Sequence, residues 1–75
     1  MQKISFSINV SKWEAFEKLL TFHEYIYGSF NHFNAGQMFI VARDEHWIGV
    51  EIIGNFEATN ALLKTVNTYQ LNQPL

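Results

Sequence analysis

Residues 37–53 read QMFIVARDEHWIGVEII, two apolar stretches separated by Asp-Glu-His. Both stretches are rich in β-branched and aromatic residues, which favour strands. In the second stretch Ile48, Val50 and Ile52 alternate with the residues between them, which is the two-residue period of a β-strand. The sequence therefore predicts strands at 37–43 and 47–53 joined by a turn, although the turn lacks the Asn-Gly or Asp-Gly of the tightest hairpins.

The stretch that precedes this pair predicts a strand followed by a helix. Residues 3–10, KISFSINV, alternate strictly between apolar and polar side chains, as a half-buried strand does. Ser11 and Glu14 have the spacing of a capping box, which marks the start of a helix. Apolar residues and a histidine then recur at the period of one helix face: Trp13, Phe16, Leu20, His23 and Tyr27. With Gly28 as a natural stop, the predicted helix covers 12–27.

The rest of the chain predicts a loop and a second helix. Residues 28–36, GSFNHFNAG, are bracketed by glycines and read as a loop. Asn55 can cap a second helix, which should fade before Pro74. The order β-α-β-β-α predicts an α+β fold in which two helices lie on one face of a three-stranded sheet. The third strand is expected between the first two, as in a ferredoxin-like fold without its last strand.

Composition predicts one domain, 1–75, with more apolar surface than it can bury. Hydrophobic residues make up 48% and aromatic residues 16% of the 75 residues, and a domain of this size buries only about 60% of its unfolded surface. The chain has no cysteine, so it forms no disulfide or thiolate zinc site. Since no signal-peptide core and no apolar run of about 20 residues is present, we expect a soluble, cytoplasmic protein without membrane contact.

Several functional classes are disfavoured by the sequence. The formal charge is −2 and the basic residues are scattered, which argues against nucleic-acid binding. No nucleophile elbow or Gly-rich phosphate loop is present. His23, His32 and His46 match no metal-binding spacing, and Glu51, in mid-strand, is expected to face solvent. We therefore expect neither enzymatic activity nor a cofactor or metal.

The second of the three strands predicts an apolar surface on the side of the sheet away from the helices. Whichever way this strand faces, either Phe39 or Met38 lies on that side, whereas a solvated face should alternate with polar residues. We expect another chain to cover it. The loop phenylalanines, Phe30 and Phe33, either cap the helical layer or anchor a partner. The predicted partner-binding residues are Phe30, His32, Phe33, Phe39, Trp47 and Glu51.

These patterns support two functional hypotheses. The first is a small non-enzymatic protein that binds another protein and forms a homodimer through the sheet face or the edge of the first strand. By size and composition, it would be a phage-type inhibitor, such as an anti-CRISPR or another counter-defence protein, or an antitoxin. The alternative is a small-ligand or metal-binding regulatory domain that uses His23, His32 and the aromatic loop.

Overall fold

The computed structural model describes residues 1–23, 25–27 and 36–73 and shows an α+β arrangement. In chain order, its elements are β1 (Gln2–Asn9), α1 (Trp13–Phe22), β2 (Tyr25–Tyr27), β3 (Gly36–Arg43), β4 (Trp47–Gly54) and α2 (Phe56–Thr68). A short 3-10 turn, Val10–Lys12, joins β1 to α1. Within this part of the chain, no helix has the length and apolarity needed to cross a membrane.

The strands form one sheet in the order β1-β4-β3-β2. β4 lies antiparallel between β1 and β3, which confirms the expected position of the third predicted strand between the other two. Alternation places Ile8, Ile48 and Met38 on the same side of the sheet as one another, and all three are buried. The period-2 pattern therefore identified the core side of β1 and β4 correctly, whereas for β3 it left Met38 and Phe39 as alternatives, and the structure places Met38 in the core.

The helices supply the rest of this core. Phe16 of α1 packs edge-on against Phe6 of β1, with ring centroids 5.8 Å apart. Leu62 and Val66 of α2 are fully buried in the same cluster. The side chain of Asn55 accepts a hydrogen bond from the Ala58 backbone N–H at 2.7 Å, so the predicted cap of α2 is confirmed.

The prediction of a first helix over 12–27 was wrong at its end. α1 stops at Phe22, and Tyr25–Tyr27 form a parallel strand beside β3 instead. The sheet thus has four strands in the described residues rather than three. Tyr25 pairs with Gly36 of β3, and the two residues are so close that a Cβ at position 36 would overlap the Tyr25 ring. Glycine at position 36 therefore allows this strand pairing. Contact with a residue distant in sequence overrides the local helical period there.

The predicted capping box was also wrong. The Lys12 position begins α1 without a side-chain cap. Asn9 caps the preceding turn instead, since its side-chain oxygen accepts a hydrogen bond from the Ser11 N–H at 3.1 Å. Because the chain turns one step earlier than expected, Ser11 lies inside the turn rather than at a helix N-terminus.

The chain after α2 returns to β1. The Asn9 N–H donates to the Leu71 carbonyl at 3.2 Å, and Leu71 is buried in the core. Lys12 reinforces this return because its ammonium donates to the carbonyls of Gln70 and Gln73, at 2.7 and 3.2 Å. The C-terminal residues therefore cover the Asn9 end of the β1 edge, which the sequence did not lead us to expect.

Candidate protein-binding face

The side of the sheet opposite the core is the candidate site, and we call it the open face. It carries the side chains that alternate with the core residues along β1, β4 and the first part of β3. Cross-strand register groups them into four rows: Lys3, Ile53 and Gln37; Ser5, Glu51 and Phe39; Ser7, Gly49 and Ala42; Asn9 and Trp47. The β1 side of this face is polar, whereas the β3 and β4 side is mostly apolar.

Phe39 and Glu51 form the centre of the open face. They are direct cross-strand partners and both are half-buried. The Glu51 side chain retains 28% of its exposure, and the Lys3 ammonium lies 3.8 Å from its carboxylate. Such a long, solvated ion pair contributes little to stability. Glu51 thus faces outward, as expected for a residue in its alternating position.

Trp47 lies at one end of the same face, beside the turn between β3 and β4. The Asp44 carboxylate accepts hydrogen bonds from the backbone N–H groups of His46 and Trp47, both at 2.8 Å. These two hydrogen bonds lower the pKa of Asp44 below its ordinary value. The turn therefore fixes the backbone of the first residue of β4. Trp47 and Glu51 are four positions apart, which is about 13 Å along a strand.

A β-bulge at Val41 modifies the apolar side of the open face. The register between β3 and β4 shifts between Ile40 and Ala42, so that Val41 has no direct partner. Val41 is 58% exposed, and Ala42 takes the open-face position beside Gly49. Bulges bend a strand and redirect its side chains. Neither glycine nor proline marks this position, so the sequence carries no local signal for the bulge.

A second concave surface lies between α1 and the β2–β3 side of the sheet. This groove has a volume of about 420 Å³ and is lined by Trp13, Glu17, Leu20, Thr21, Tyr25, Met38 and Ile40. The Tyr25 hydroxyl is buried and has no hydrogen-bond partner among the described residues. Burial also raises the pKa of Tyr25. Sequence reasoning missed the groove because it placed Tyr25 in a helix.

The structure brings together only part of the predicted site. Phe39, Trp47 and Glu51 share the open face, whereas Phe30, His32 and Phe33 lie outside the described residues. Ile53, which was not among the predicted partner-binding residues, lies on the same face. Its position opposite Ile52 in the β4 alternation was the available signal.

The remaining histidines do not form a metal site in the part of the chain that is described. His23 follows the end of α1, where its N–H donates to the Leu19 carbonyl at 2.9 Å. His46 lies in the exposed turn before β4. No cluster of three or more metal-ligating side chains is found among the described residues. The expectation that no metal is required stays a prediction.

No family model, no curated protein and no solved structure matches this chain. Its function must therefore be inferred from the geometry of its own surfaces.

Proposed function

We propose that this protein acts without enzymatic activity, by binding another protein through the open face of its sheet. The observation that carries the proposal is the half-exposed apolar group of Phe39, Trp47 and Ile53 around the charged Glu51. A solvated antiparallel face normally alternates with polar residues. Aromatic residues are enriched in protein interfaces, and Phe39 and Trp47 are two aromatic residues on this face.

The chemistry of this face favours a protein partner over a small molecule or nucleic acid. The face is a flat pleated surface rather than a pocket, so it suits a large complementary surface. Its charged side chains are Lys3 and Glu51, which pair with each other, so it has no basic stripe for phosphates. By size and composition the protein would be a phage-type inhibitor, including the anti-CRISPR class, or an antitoxin that works by contact.

We also propose that the chain has a ferredoxin-like topology. The strand order β1-β4-β3 and the shared core of α1 and α2 support a ferredoxin-like arrangement without its last strand, with both helices on the core side. β2 is an addition to that arrangement, at the opposite edge from β1.

Three baits test the proposal: wild type, Phe39→Lys and Phe22→Lys. Phe22 is the matched control because it undergoes the same substitution but lies on α1, outside the open face, where its side chain is exposed. Each bait captures partners from extracts of the native host, and the dissociation constant for the captured protein is then measured by calorimetry. We expect Phe39→Lys to weaken binding by about 30-fold, which corresponds to about 2 kcal/mol for a central aromatic residue.

The control should bind within a few-fold of wild type. Unfolding in urea should give similar midpoints for all three proteins, because Phe39 is not part of the buried core. If Phe39→Lys and Trp47→Ala both bind the captured protein as tightly as wild type does, the open face is not the binding surface.

A further inference from the structure

β1 is an edge strand, and the direction of its backbone groups can be determined from two hydrogen bonds. The Val10 N–H donates toward β4, to the His46 carbonyl at 2.8 Å. The Asn9 N–H donates to the other side, to the Leu71 carbonyl. Since backbone groups alternate along a strand, the odd-numbered residues of β1 direct their N–H and C=O groups away from the sheet. Lys3, Ser5 and Ser7 have no backbone partner on that side among the described residues.

This stretch of edge lacks the features that usually prevent strand addition. Its register with β4 runs without interruption from Gln2 to Asn9, so no bulge turns it away. It contains no proline, and Ser5 and Ser7 are too small to block an approaching strand. Lys3 is the single charge on it. Natural edges of this length are normally protected or paired.

We propose that β1 pairs with β1 of a second copy of this chain, antiparallel, about a two-fold axis at Ser5. Ser5 then lies opposite Ser5 of the second copy, and Lys3 lies opposite Ser7 of the second copy. Every free N–H and C=O of the three residues gains a partner in this register. The two sheets become one continuous sheet across the axis.

Other two-fold registers fit less well. An axis at Lys3 sets two ammonium groups directly opposite each other, which is unfavourable. An axis at Ser7 sets Ser5 opposite Asn9, whose N–H already donates to Leu71. With the axis at Ile4 or at Phe6, one of the three residues with free backbone groups lies opposite a residue outside Lys3–Ser7 and gains no suitable partner there. The axis at Ser5 is the register that uses the whole free edge and avoids the covered end.

The side chains on the core side of β1 are complementary in the same register. Ile4 and Phe6 are half-buried and pack against the edge of the core. With the axis at Ser5, Ile4 of each copy lies opposite Phe6 of the other. Aromatic and β-branched residues form favourable cross-strand pairs, and their contact removes apolar surface from water. The edge therefore offers side-chain complementarity in addition to backbone hydrogen bonds.

A two-fold axis perpendicular to the sheet leaves both open faces on the same side. The dimer would then present two copies of the Phe39, Trp47 and Glu51 surface to one side. The pairing of the edges does not rest on the proposed function, and only this bivalent presentation does. A partner with two equivalent sites would gain from it through effective concentration.

Cysteine cross-linking tests the register, and the absence of native cysteine makes it specific. In Ser5→Cys the two Cα atoms would lie about 5.5 Å apart, as in a hydrogen-bonded antiparallel pair, which is within disulfide range. In the matched control, Ser7→Cys, the two cysteines would be about 14 Å apart and out of reach. A mixture of Lys3→Cys and Ser7→Cys chains should form the mixed disulfide.

Wild type is measured by light scattering at high micromolar concentration, and the variants are oxidised mildly and resolved on a non-reducing gel. For wild type we expect a mass of twice the 8.8 kDa chain. For the variants we expect rapid cross-linking of Ser5→Cys and no cross-linking of Ser7→Cys. A monomeric wild type overturns the proposal, whichever variants fold. So does a dimer in which Ser7→Cys cross-links as fast as Ser5→Cys. If wild type is monomeric but Phe39→Lys still loses the partner, the pairing fails and the proposed function stands.

Discussion

The residue after the α2 C-cap provides a stability test of the turn that leads the chain back to β1. Gln70 has φ of 56°, the sole positive φ of a non-glycine residue in the described ranges. The Leu71 N–H donates to the Val66 carbonyl at 3.0 Å, and the Gln70 N–H donates to the Asn67 carbonyl at 3.2 Å. This is a Schellman motif, in which glycine usually occupies the left-handed position. We therefore predict that Gln70→Gly stabilises the protein.

The magnitude follows from two opposing terms. An L-residue in the left-handed region costs about 1–2 kcal/mol, which glycine does not incur. Glycine adds about 0.4–1 kcal/mol of unfolded-state entropy that folding must overcome. The Gln70 side chain is exposed, and Lys12 bonds to its backbone carbonyl, which glycine retains. The net expectation is a gain of about 0.5–1 kcal/mol in the free energy of unfolding.

Urea unfolding and thermal melting both measure this gain. The urea midpoint should rise without a change in slope, and the melting temperature should rise by about 2–8 °C for a domain of this size. Gln73→Gly is the control, because Gln73 is the same residue type, is exposed and has no positive φ. The control should be unchanged or slightly destabilised. If Gln70→Gly lowers the midpoint as much as Gln73→Gly does, Gln70 does not hold a strained left-handed conformation.

Two further substitutions test contacts in the sheet. Gly36→Ala should lower the free energy of unfolding by about 1–3 kcal/mol, because the added Cβ would overlap the Tyr25 ring and the Ile53 carbonyl oxygen. In the control, Gly49→Ala, the nearest atom to the added Cβ is the Ala42 Cβ at 3.3 Å. The control should therefore lower the free energy of unfolding less in the same urea assay. Equal costs at the two glycines would mean that Tyr25 does not pack on Gly36. Asp44→Ala should destabilise the protein most at neutral pH, because two backbone hydrogen bonds lower the folded-state pKa of Asp44. The carboxylate therefore stabilises the fold above the unfolded-state pKa, and this stabilisation is lost as pH falls through the folded-state pKa. The difference in free energy of unfolding between wild type and Asp44→Ala should therefore shrink as pH is lowered below the ordinary pKa of an aspartate carboxyl. A difference that does not depend on pH would contradict the role of the ionised carboxylate.

The long strands were predictable from the sequence because their alternation is local and strict. β1, β3 and β4 start and end within one residue of the ranges that the pattern predicted. Alternation also assigned Ile48, Val50 and Ile52 to one side, and all three are buried. Because side chains alternate strictly along β1 and β4, the residues that face the core in these two strands follow once the strands are identified.

The end of α1 was not predictable by the same reasoning. The apolar positions from Trp13 to Tyr27 continue at helical spacing, and aromatic residues suit both helices and strands. What decides the structure of Tyr25–Tyr27 is pairing with β3, which lies beyond the next segment of the chain. Phe22, the last residue of α1, is followed by neither glycine nor proline. Periodicity alone therefore predicted a helix that extends past the observed end of α1.

The candidate site was partly predictable for a similar reason. Trp47 and Glu51 were placed by alternation, whereas Phe39 was one of two alternatives that the structure decides. The bulge at Val41 depends on how β3 fits β4. The covered end of the β1 edge depends on the turn after α2, where Gln70 occupies a position usually filled by glycine. Neither feature is indicated by the residue type found at its position. Only the assembled sheet shows how far the free edge extends.

The two surfaces of the sheet depend on different chemistry, so they should be separable by mutation. The open face needs side-chain complementarity, since Phe39 and Trp47 contribute rings and Glu51 contributes a charge. The β1 edge needs mainly backbone groups, which are the same whatever side chains Ser5 and Ser7 carry. Phe39 is two strands away from the edge, so a charge there should reduce binding of another protein without preventing the pairing of two copies. If both proposals hold, side chains on the open face determine which protein is bound, and the pairing of two β1 edges sets how many such faces are presented.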